Sequence, residues 1–242
     1  MKTKILSAVI LLLFCSLTLS GQTDSVPKAK FKVTADLVSA YIWRGTVGSS
    51  DPSFQPTFAI VSGGLEAGVW GSTNLKGTYK ELDPYIFYTT KYIKFGVTDY
   101  NWTFSRSYFD YKKSTTDHII EGTIGFTGTE GLPLSITVNT MLYGADKKYD
   151  FDAGSFTSKQ NYSTYIEMGY SFGSSYALIA FTPANGYYGA GYGNIKGFAV
   201  CNIGLSSARN IKVTPTFEIP LKASVFVNPQ AESIHFVIGL TL

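Results

Sequence analysis

The chain is poor in the residues on which catalysis, metal binding and covalent cross-linking depend. It has two cysteines and two histidines in 242 residues. The histidines, His118 and His235, are not at metal-ligand spacing. His118 follows Asp117, but on a strand these two side chains would point to opposite faces. We therefore expect no enzyme activity, no metal centre and no cofactor.

Long apolar runs are also absent, apart from one at the N-terminus. Residues 5–19 form an apolar stretch that follows two lysines and is too short to span a bilayer comfortably. This pattern predicts a cleaved signal peptide over residues 1–21, which would remove Cys15 and leave only Cys201. One cysteine cannot form an internal disulfide, so the exported chain must be stabilised in another way.

Charge is scarce and nearly balanced. Loss of Lys2 and Lys4 with the signal peptide would reduce the 20 basic residues to 18, against 17 acidic residues. This balance gives no electrostatic reason to expect nucleic acid as a partner. Charged residues make up 15% of the chain, below the roughly 25% of a typical soluble domain. Because no later apolar run has the length of a transmembrane helix, membrane residence would require β-strands.

What the chain does have, beyond the signal peptide, is a hydrophobic period of two. About twelve segments alternate in this way, most of them near the 9–11 residues that a tilted membrane strand needs. In the first segment, Tyr41 and Trp43 continue the apolar face and Arg44 lies on the other. We therefore predict an all-β fold, a transmembrane antiparallel up-and-down β-barrel of about twelve strands over residues 31–242, after a short periplasmic segment at residues 22–30.

The predicted connections alternate in length. Longer loops of about 5 to 18 residues alternate with short turns such as residues 62–64 and 173–175. Long loops at one end and short turns at the other are typical of an outer-membrane barrel with both termini in the periplasm. The apolar parity of the fifth strand shifts near Asp99, which predicts a β-bulge there. The ninth strand, residues 176–182, is apolar on both faces, so its orientation is undetermined.

Alternation is equally compatible with a soluble barrel or sandwich. The polar faces distinguish the two, because they consist largely of serine, threonine, asparagine, glycine and tyrosine rather than the lysine and glutamate of a soluble surface. The apolar faces carry almost no charge, and a lipid-facing arginine or lysine would cost roughly 2–4 kcal/mol at the bilayer midplane. The pattern favours the outer membrane.

Three short motifs resemble a known family. They are "SAYIWRG" near the mature start, "QPTFAI" from Gln55 and "KELDPYIFY" from Lys80. Together they resemble the TorF-type porin family of bacteria, whose opening strand carries an aromatic-x-aromatic-Arg-Gly pattern followed by a Glu-x-Asp-x-Tyr strand. The resemblance covers most of the mature chain and implies an outer-membrane barrel that forms a pore. The chain departs from such barrels at its end, where Leu242 replaces the terminal aromatic residue read by the assembly machinery and Phe236 is the nearest aromatic.

The inward face of the predicted barrel collects charged residues. Arg44 lies at about the same height as Glu81 and Asp83, so we expect it to pair with these carboxylates and brace the lumen. The same cluster is a candidate constriction that sets ion preference, and an acidic excess would favour cations weakly. The other inward candidates are Asp36, Glu66, Glu121, Glu167 and Glu218, with Lys212 and Lys222 as basic residues.

Aromatic residues at the predicted strand ends are expected to form interfacial girdles. The same reasoning places His118 at the interface and His235 in the solvated interior or at the rim. The glycine-rich segment at residues 185–194 is expected to be a surface loop rather than a carbohydrate-stacking site. The girdle candidates are Tyr41, Trp43, Trp102 and Phe104.

The function that these features predict is passive diffusion of small solutes or ions through an outer-membrane channel. Its partners would be the lipid bilayer, the outer-membrane assembly machinery and the diffusing solutes. The alternative is a closed barrel that acts through its loops, notably residues 144–161, in adhesion, binding or envelope integrity. An outer-membrane hydrolase is the third hypothesis.

Overall fold

The computed structural model describes residues 27–150, 152–188 and 197–242. The predicted signal peptide lies outside these ranges. Twelve strands form a closed antiparallel barrel, which confirms the predicted all-β barrel and its strand number. Within the described ranges, no helix has the length and hydropathy to cross a membrane.

The barrel strands follow one another around the wall, and the last strand pairs with the first. Two further hairpins pair only with themselves. The barrel strands are β1 (Lys30–Val38), β4 (Ser53–Ser62), β5 (Leu65–Asn74), β6 (Lys80–Thr89), β7 (Ile93–Tyr100), β8 (Ile119–Phe126), β9 (Leu134–Gly144), β12 (Thr164–Phe172), β13 (Ser175–Thr182), β14 (Ala199–Thr214), β15 (Phe217–Asn228) and β16 (Ser233–Thr241). The additional hairpins are β2 (Tyr41–Trp43) with β3 (Thr46–Ser49), and β10 (Lys147–Asp150) with β11 (Ser155–Gln160).

Side chains alternate between an apolar outer face and a largely polar inner face. On β16, Ile234, Phe236 and Ile238 point outward and are 57, 74 and 57% exposed. The orientation of β13, which alternation did not determine, is fixed by Ile179, which is exposed outside, and Ala180, which is buried inside. The outer surface is therefore largely apolar along the strands.

The four longest connections all lie at one end of the barrel, as predicted, and the two-residue turns between barrel strands all lie at the other. We call the end with the long connections the loop end and the opposite end the turn end. The long connections are residues 39–52, 101–118, 145–163 and 183–198, and the shortest turns opposite them are residues 63–64, 173–174 and 215–216.

The predicted bulge near Asp99 is absent. β7 pairs with β8 in unbroken register from Ile93 to Tyr100. The parity shift arises because Tyr100 is an inward-facing residue, whereas Trp102 and Phe104 already belong to the following loop. The change of parity marks the end of a strand and not an irregularity within it.

The predicted first strand is two separate elements. β1 ends at Val38, and the chain then turns into the barrel to form β2 and β3, which we call the lumen hairpin. The two residues of its turn, Arg44 and Gly45, have positive φ values of 52° and 79°, as a type I′ turn requires. The prediction of one strand through Arg44 is therefore wrong, because residues 41–43 keep the alternation of an extended chain on both sides of the break.

Candidate functional site

The lumen hairpin crosses the interior of the barrel and contacts widely separated parts of its wall. The ring of Tyr41 lies 5.4 Å from that of Trp70 on β5. At the hairpin tip, the carbonyl of Gly45 accepts a hydrogen bond from Asn228 Nδ2 on β15 at 3.1 Å. Because β5 and β15 lie on different sides of the barrel, the hairpin divides the lumen near its loop end.

Arg44 fixes the hairpin through a buried ion pair with Glu121 of β8. Its two terminal nitrogens lie 2.6 and 2.8 Å from the two carboxylate oxygens, and the Glu121 side chain is fully buried. The hydroxyls of Tyr188 and Tyr100 also donate to Glu121, at 2.8 and 3.1 Å. Such a pair is tolerated in a low-dielectric interior because every carboxylate oxygen has donors. The expected pairing of Arg44 with Glu81 and Asp83 is therefore wrong.

Aromatic rings surround this ion pair. The Arg44 guanidinium lies 4.7 Å from the ring centre of Trp43 and 4.8 Å from that of Tyr165. Cation–π contacts in a desolvated setting add to the stability of the charge. The buried cluster of this region comprises Tyr100, Ile119, Met141, Tyr165, Ala180, Tyr188 and Cys201, with Trp43, Trp102 and Tyr187 packed against it.

Two of the four predicted girdle residues, Trp43 and Trp102, pack against this interior cluster, and a third, Tyr41, is buried beside Trp70 and Tyr79. Tyr41 and Trp43 lie inside the barrel because the turn at Arg44 and Gly45 reverses the chain within the lumen. Trp102 follows β7 and packs against Trp43, with ring centres 5.8 Å apart. These three side chains fill the lumen and are not an outer girdle. Phe104 stacks on Tyr108 in the loop at residues 101–118.

Two cavities meet at the rings of Tyr41 and Trp43. The loop-end cavity has a volume of about 230 Å³ and is also lined by Glu81. The turn-end cavity has a volume of about 520 Å³ and is also lined by Asp83. Tyr41 and Trp43 line both spaces, so the two rings form the partition between them. The two rings therefore block the space that would otherwise run along the inner wall of β4 to β7.

Glu81 and Asp83 are successive inward residues of β6, as predicted, and both are buried. Glu81 accepts a hydrogen bond from the hydroxyl of Tyr79 at 2.5 Å, and Asp83 accepts one from the backbone N–H of Asn101 at 3.1 Å. Within the described residues, neither carboxylate lies within 4.0 Å of a basic side chain. Burial and the Glu81 charge raise the pKa of Tyr79 well above its usual value, so its hydroxyl remains a donor at neutral pH.

The remaining predicted lumen residues do not join one cluster. Glu218 is exposed at the turn end, where Asn210 Nδ2 donates to it at 3.1 Å, and Lys212 pairs with it across the β14–β15 ladder. Lys222 lines a third cavity, near Asp36. Inside the barrel, Asp36 accepts from Thr241 (2.5 Å), Glu66 from Lys32 (3.1 Å) and Tyr85 (2.8 Å), and Glu167 from Tyr165 (2.8 Å) and Tyr176 (3.0 Å).

His118 is buried and not at an interface. Its Nδ1 lies 2.8 Å from Asp99 Oδ1, its Nε2 lies 2.5 Å from the carbonyl oxygen of Tyr108, and the ring of Tyr111 stacks on it. These contacts tie the loop at residues 101–118 to the end of β7, and none of them involves a serine or cysteine.

His235 lies on the inner rim beside Ser233. No group of three metal-ligating side chains is found in the part of the chain that the structure describes.

The chain contains one Gly-x-Ser-x-Gly pattern, at residues 169–173. In hydrolases this pattern positions a nucleophile between a strand and a helix. Here it spans the end of β12 and the turn that leads into β13, at the turn end. Among the described residues, neither histidine has Ser171 as a hydrogen-bond partner.

Sequence reasoning missed the tyrosines that complete the site. Tyr188 belongs to the segment expected to be a surface loop, yet it is 1% exposed and contacts both Arg44 and Glu121. No local pattern marks it, because its burial depends on the loop folding back into the barrel. Tyr100 could have been found, since it shares the inward parity of Thr98 on β7. Residues 189–194 of the same segment lie outside the described ranges.

Comparison with known proteins adds no family assignment. No protein-family model matches the chain, and no curated protein matches it significantly. The resemblance of the three motifs to the TorF-type porins stays a prediction.

A substitution at the tip of the lumen hairpin tests whether the hairpin is docked against the barrel wall. A Cβ atom on Gly45 would lie 2.5 Å from the carbonyl oxygen of Cys201 on β14. We expect Gly45→Ala to weaken docking by about 1–3 kcal/mol, because the clash is with backbone. Hydrogen exchange at residues 41–49 should then accelerate by roughly tenfold or more.

Gly77→Ala is the matched control for this substitution. Gly77 also has a left-handed φ, 71°, but a Cβ atom there would meet no atom within 4 Å. Both variants therefore place an alanine in a strained left-handed conformation. Only Gly45→Ala also brings a Cβ atom against the backbone of β14. Equal exchange at residues 41–49 in both variants would show that the hairpin tip is not held against β14.

Proposed function

We propose that this barrel lies in a bacterial outer membrane and allows passive diffusion of small solutes or ions, with a weak preference for cations. The membrane location is supported by the outer face, where large apolar side chains are exposed along the strands. Soluble monomers rarely expose contiguous apolar patches of more than a few hundred Å². Long and short connections at opposite ends agree with outer-membrane topology, in which the loop end is extracellular.

The observation that carries the proposed channel is the pair of cavities on either side of Tyr41 and Trp43. They lie in line along the β4–β7 wall, whereas the buried aromatic cluster fills the opposite side of the lumen at the same end. The partition consists of only two side chains on a hairpin. A path of this form admits small solutes at most, and movement of the two rings would control it.

The cation preference follows from the charges along this path. Arg44 is neutralised by Glu121 and contributes no free positive charge. The carboxylates of Glu81 and Asp83 lie one on each side of the partition, close to the narrowest point. The turn-end cavity adds Glu66 with two lysines, Lys32 and Lys94, which makes the preference weak. Carboxylates near a constriction favour cations because their negative charge attracts cations and repels anions.

A closed barrel that acts through its loops is the second candidate function. It is favoured by the same hairpin, which blocks the lumen with packed side chains. The β10–β11 hairpin, in the predicted loop at residues 144–161, pairs only with itself and stands apart from the barrel sheet. A surface of this kind would serve adhesion, binding or envelope integrity.

Single-channel recording separates these two functions. The mature protein, refolded in detergent and added to planar bilayers, should give discrete conductance steps with a potassium-to-chloride permeability ratio above one. The double variant Glu81→Gln, Asp83→Asn should bring the ratio close to one, because it removes the two carboxylates beside the partition that have no basic partner among the described residues. Glu218→Gln, at an exposed position at the turn end, is the control and should leave the ratio unchanged.

A correctly folded, heat-modifiable barrel that gives no steps would contradict the channel and favour the closed barrel. A channel whose ion preference is identical in the double variant and the wild type would contradict the assigned path.

A further inference from the structure

The residues that line the loop-end cavity suit a ligand-binding site as well as a pore entrance. Trp43, Trp102 and Tyr187 contact one another in a triangle, with ring centres 5.8, 6.1 and 5.6 Å apart. Tyr41 and Tyr79 form a second pair, with ring centres 5.8 Å apart. All five rings line the same cavity. A water-filled pore entrance does not require five aromatic rings in its lining.

One carboxylate, Glu81, lines this aromatic cavity. It is 5% exposed, and the hydroxyl of Tyr79 orients one of its oxygens from a distance of 2.5 Å. Within the described residues, no lysine, arginine or histidine lies within salt-bridge distance of it. Arg44, the nearest cation on the hairpin, is already paired with Glu121. The cavity therefore presents the negative potential of its rings and one carboxylate that has no basic partner among the described residues.

The combination of rings and one carboxylate selects the chemical class of the ligand. A metal ion such as Ca²⁺ needs six to eight oxygen ligands, and no group of three metal-ligating side chains is present in the described part of the chain. An alkylammonium ion instead presents an apolar, positively charged surface, which aromatic faces bind through cation–π attraction. The volume of about 230 Å³ is below the roughly 300–1,000 Å³ of drug-sized sites, so the ligand is small.

We infer that the loop-end cavity binds a small organic cation of the alkylammonium class, held by Trp43, Trp102 and the other rings and neutralised by Glu81. This inference goes beyond diffusion, because binding requires neither conduction nor movement of the partition. In a conducting barrel the same site would slow or select such cations at the entrance.

Choline is a suitable probe, and tryptophan fluorescence reports on the site directly. Two of the three tryptophans, Trp43 and Trp102, line the cavity, whereas Trp70 lines only the turn-end cavity. The refolded mature barrel in detergent micelles is titrated with choline chloride at constant ionic strength. We expect a saturable change in emission. Glu81→Gln should raise the dissociation constant by about tenfold or more, because it removes the charge that faces the ligand.

Two controls make the titration specific. Glu66→Gln neutralises an inward carboxylate of the turn-end cavity and should leave the dissociation constant unchanged. The neutral isostere 3,3-dimethyl-1-butanol, which has the shape of choline without its charge, should bind far more weakly. If Glu81→Gln does not fold, Trp102→Leu provides the second variant, and it should also weaken binding.

A response that is not saturable, equal affinity for the neutral isostere, or unchanged affinity in both variants would overturn the inference. Saturable binding of glucose instead of choline would reassign the cavity to carbohydrate. Because the titration is done in micelles, its result is independent of the bilayer recordings: choline binding by a non-conducting barrel would contradict the channel alone, and a channel without choline binding would contradict only this site.

Discussion

Glu121→Gln is expected to release the lumen hairpin from the barrel wall, with a loss of about 3–5 kcal/mol in docking free energy. The Arg44 side chain is only 13% exposed, so it would remain buried without its counter-charge. The new amide would also place N–H donors against those of the guanidinium. We expect Trp43 emission to shift to longer wavelength and the amides of residues 41–49 to exchange at the rate of an open loop.

Glu167→Gln is the matched control for this variant. Glu167 is also an inward carboxylate, but among the described residues it accepts hydrogen bonds from the hydroxyls of Tyr165 and Tyr176 and has no cationic partner. Glu167→Gln should lower stability by less, about 1.5–3 kcal/mol, the value of a hydrogen bond to a charged group, and should leave residues 41–49 docked. Equal effects of the two variants would contradict the assigned role of the ion pair.

The double variant Arg44→Met, Glu121→Met tests the same pair from the opposite direction. Replacing both partners of a buried ion pair by apolar side chains is often neutral, whereas removing one partner is not. We therefore expect the double variant to restore most of the docking that Glu121→Gln loses. The readout is again hydrogen exchange of the hairpin amides.

Removal of the lumen hairpin is expected to raise the single-channel conductance by about threefold or more, since the narrowest point limits ion flow. The design replaces residues 40–51 with Gly-Asn-Gly and adds Glu121→Gln, so that Glu121 is not left as a buried carboxylate without its Arg44 partner. Ser39 is retained, because its N–H donates to the carbonyl of Ile238 and its hydroxyl accepts from the N–H of the same residue where β1 meets β16. The deletion joins the two cavities that Tyr41 and Trp43 now separate.

Shortening of the β10–β11 hairpin is the control for this deletion. That hairpin also belongs to a long connection at the loop end, but its strands pair only with each other. Its removal should leave the conductance unchanged. If the two deletions have the same effect, or if removal of the lumen hairpin has none, the partition is not at Tyr41 and Trp43.

The sequence by itself determined the barrel and the facing of most of its strands. A period of two fixes which side chains share a face, and it correctly placed Glu81 and Asp83 together on the inside of β6. The alternation of long and short connections likewise follows from where turn residues interrupt the apolar pattern. These features are local, because neighbouring residues along one strand decide them.

The tertiary structure alone decided what occupies the lumen. Arg44 and Glu121 are 77 positions apart, and only barrel closure brings them together. The chain reverses at Arg44 and Gly45 because both residues adopt left-handed conformations, which leave no trace in the alternation of side chains. Tyr188 reaches the same ion pair from a third distant segment. The hydrophobic period shows only the face of the strand on which a side chain lies. The residue that this side chain contacts inside the lumen depends on barrel closure and on which connections fold into the barrel.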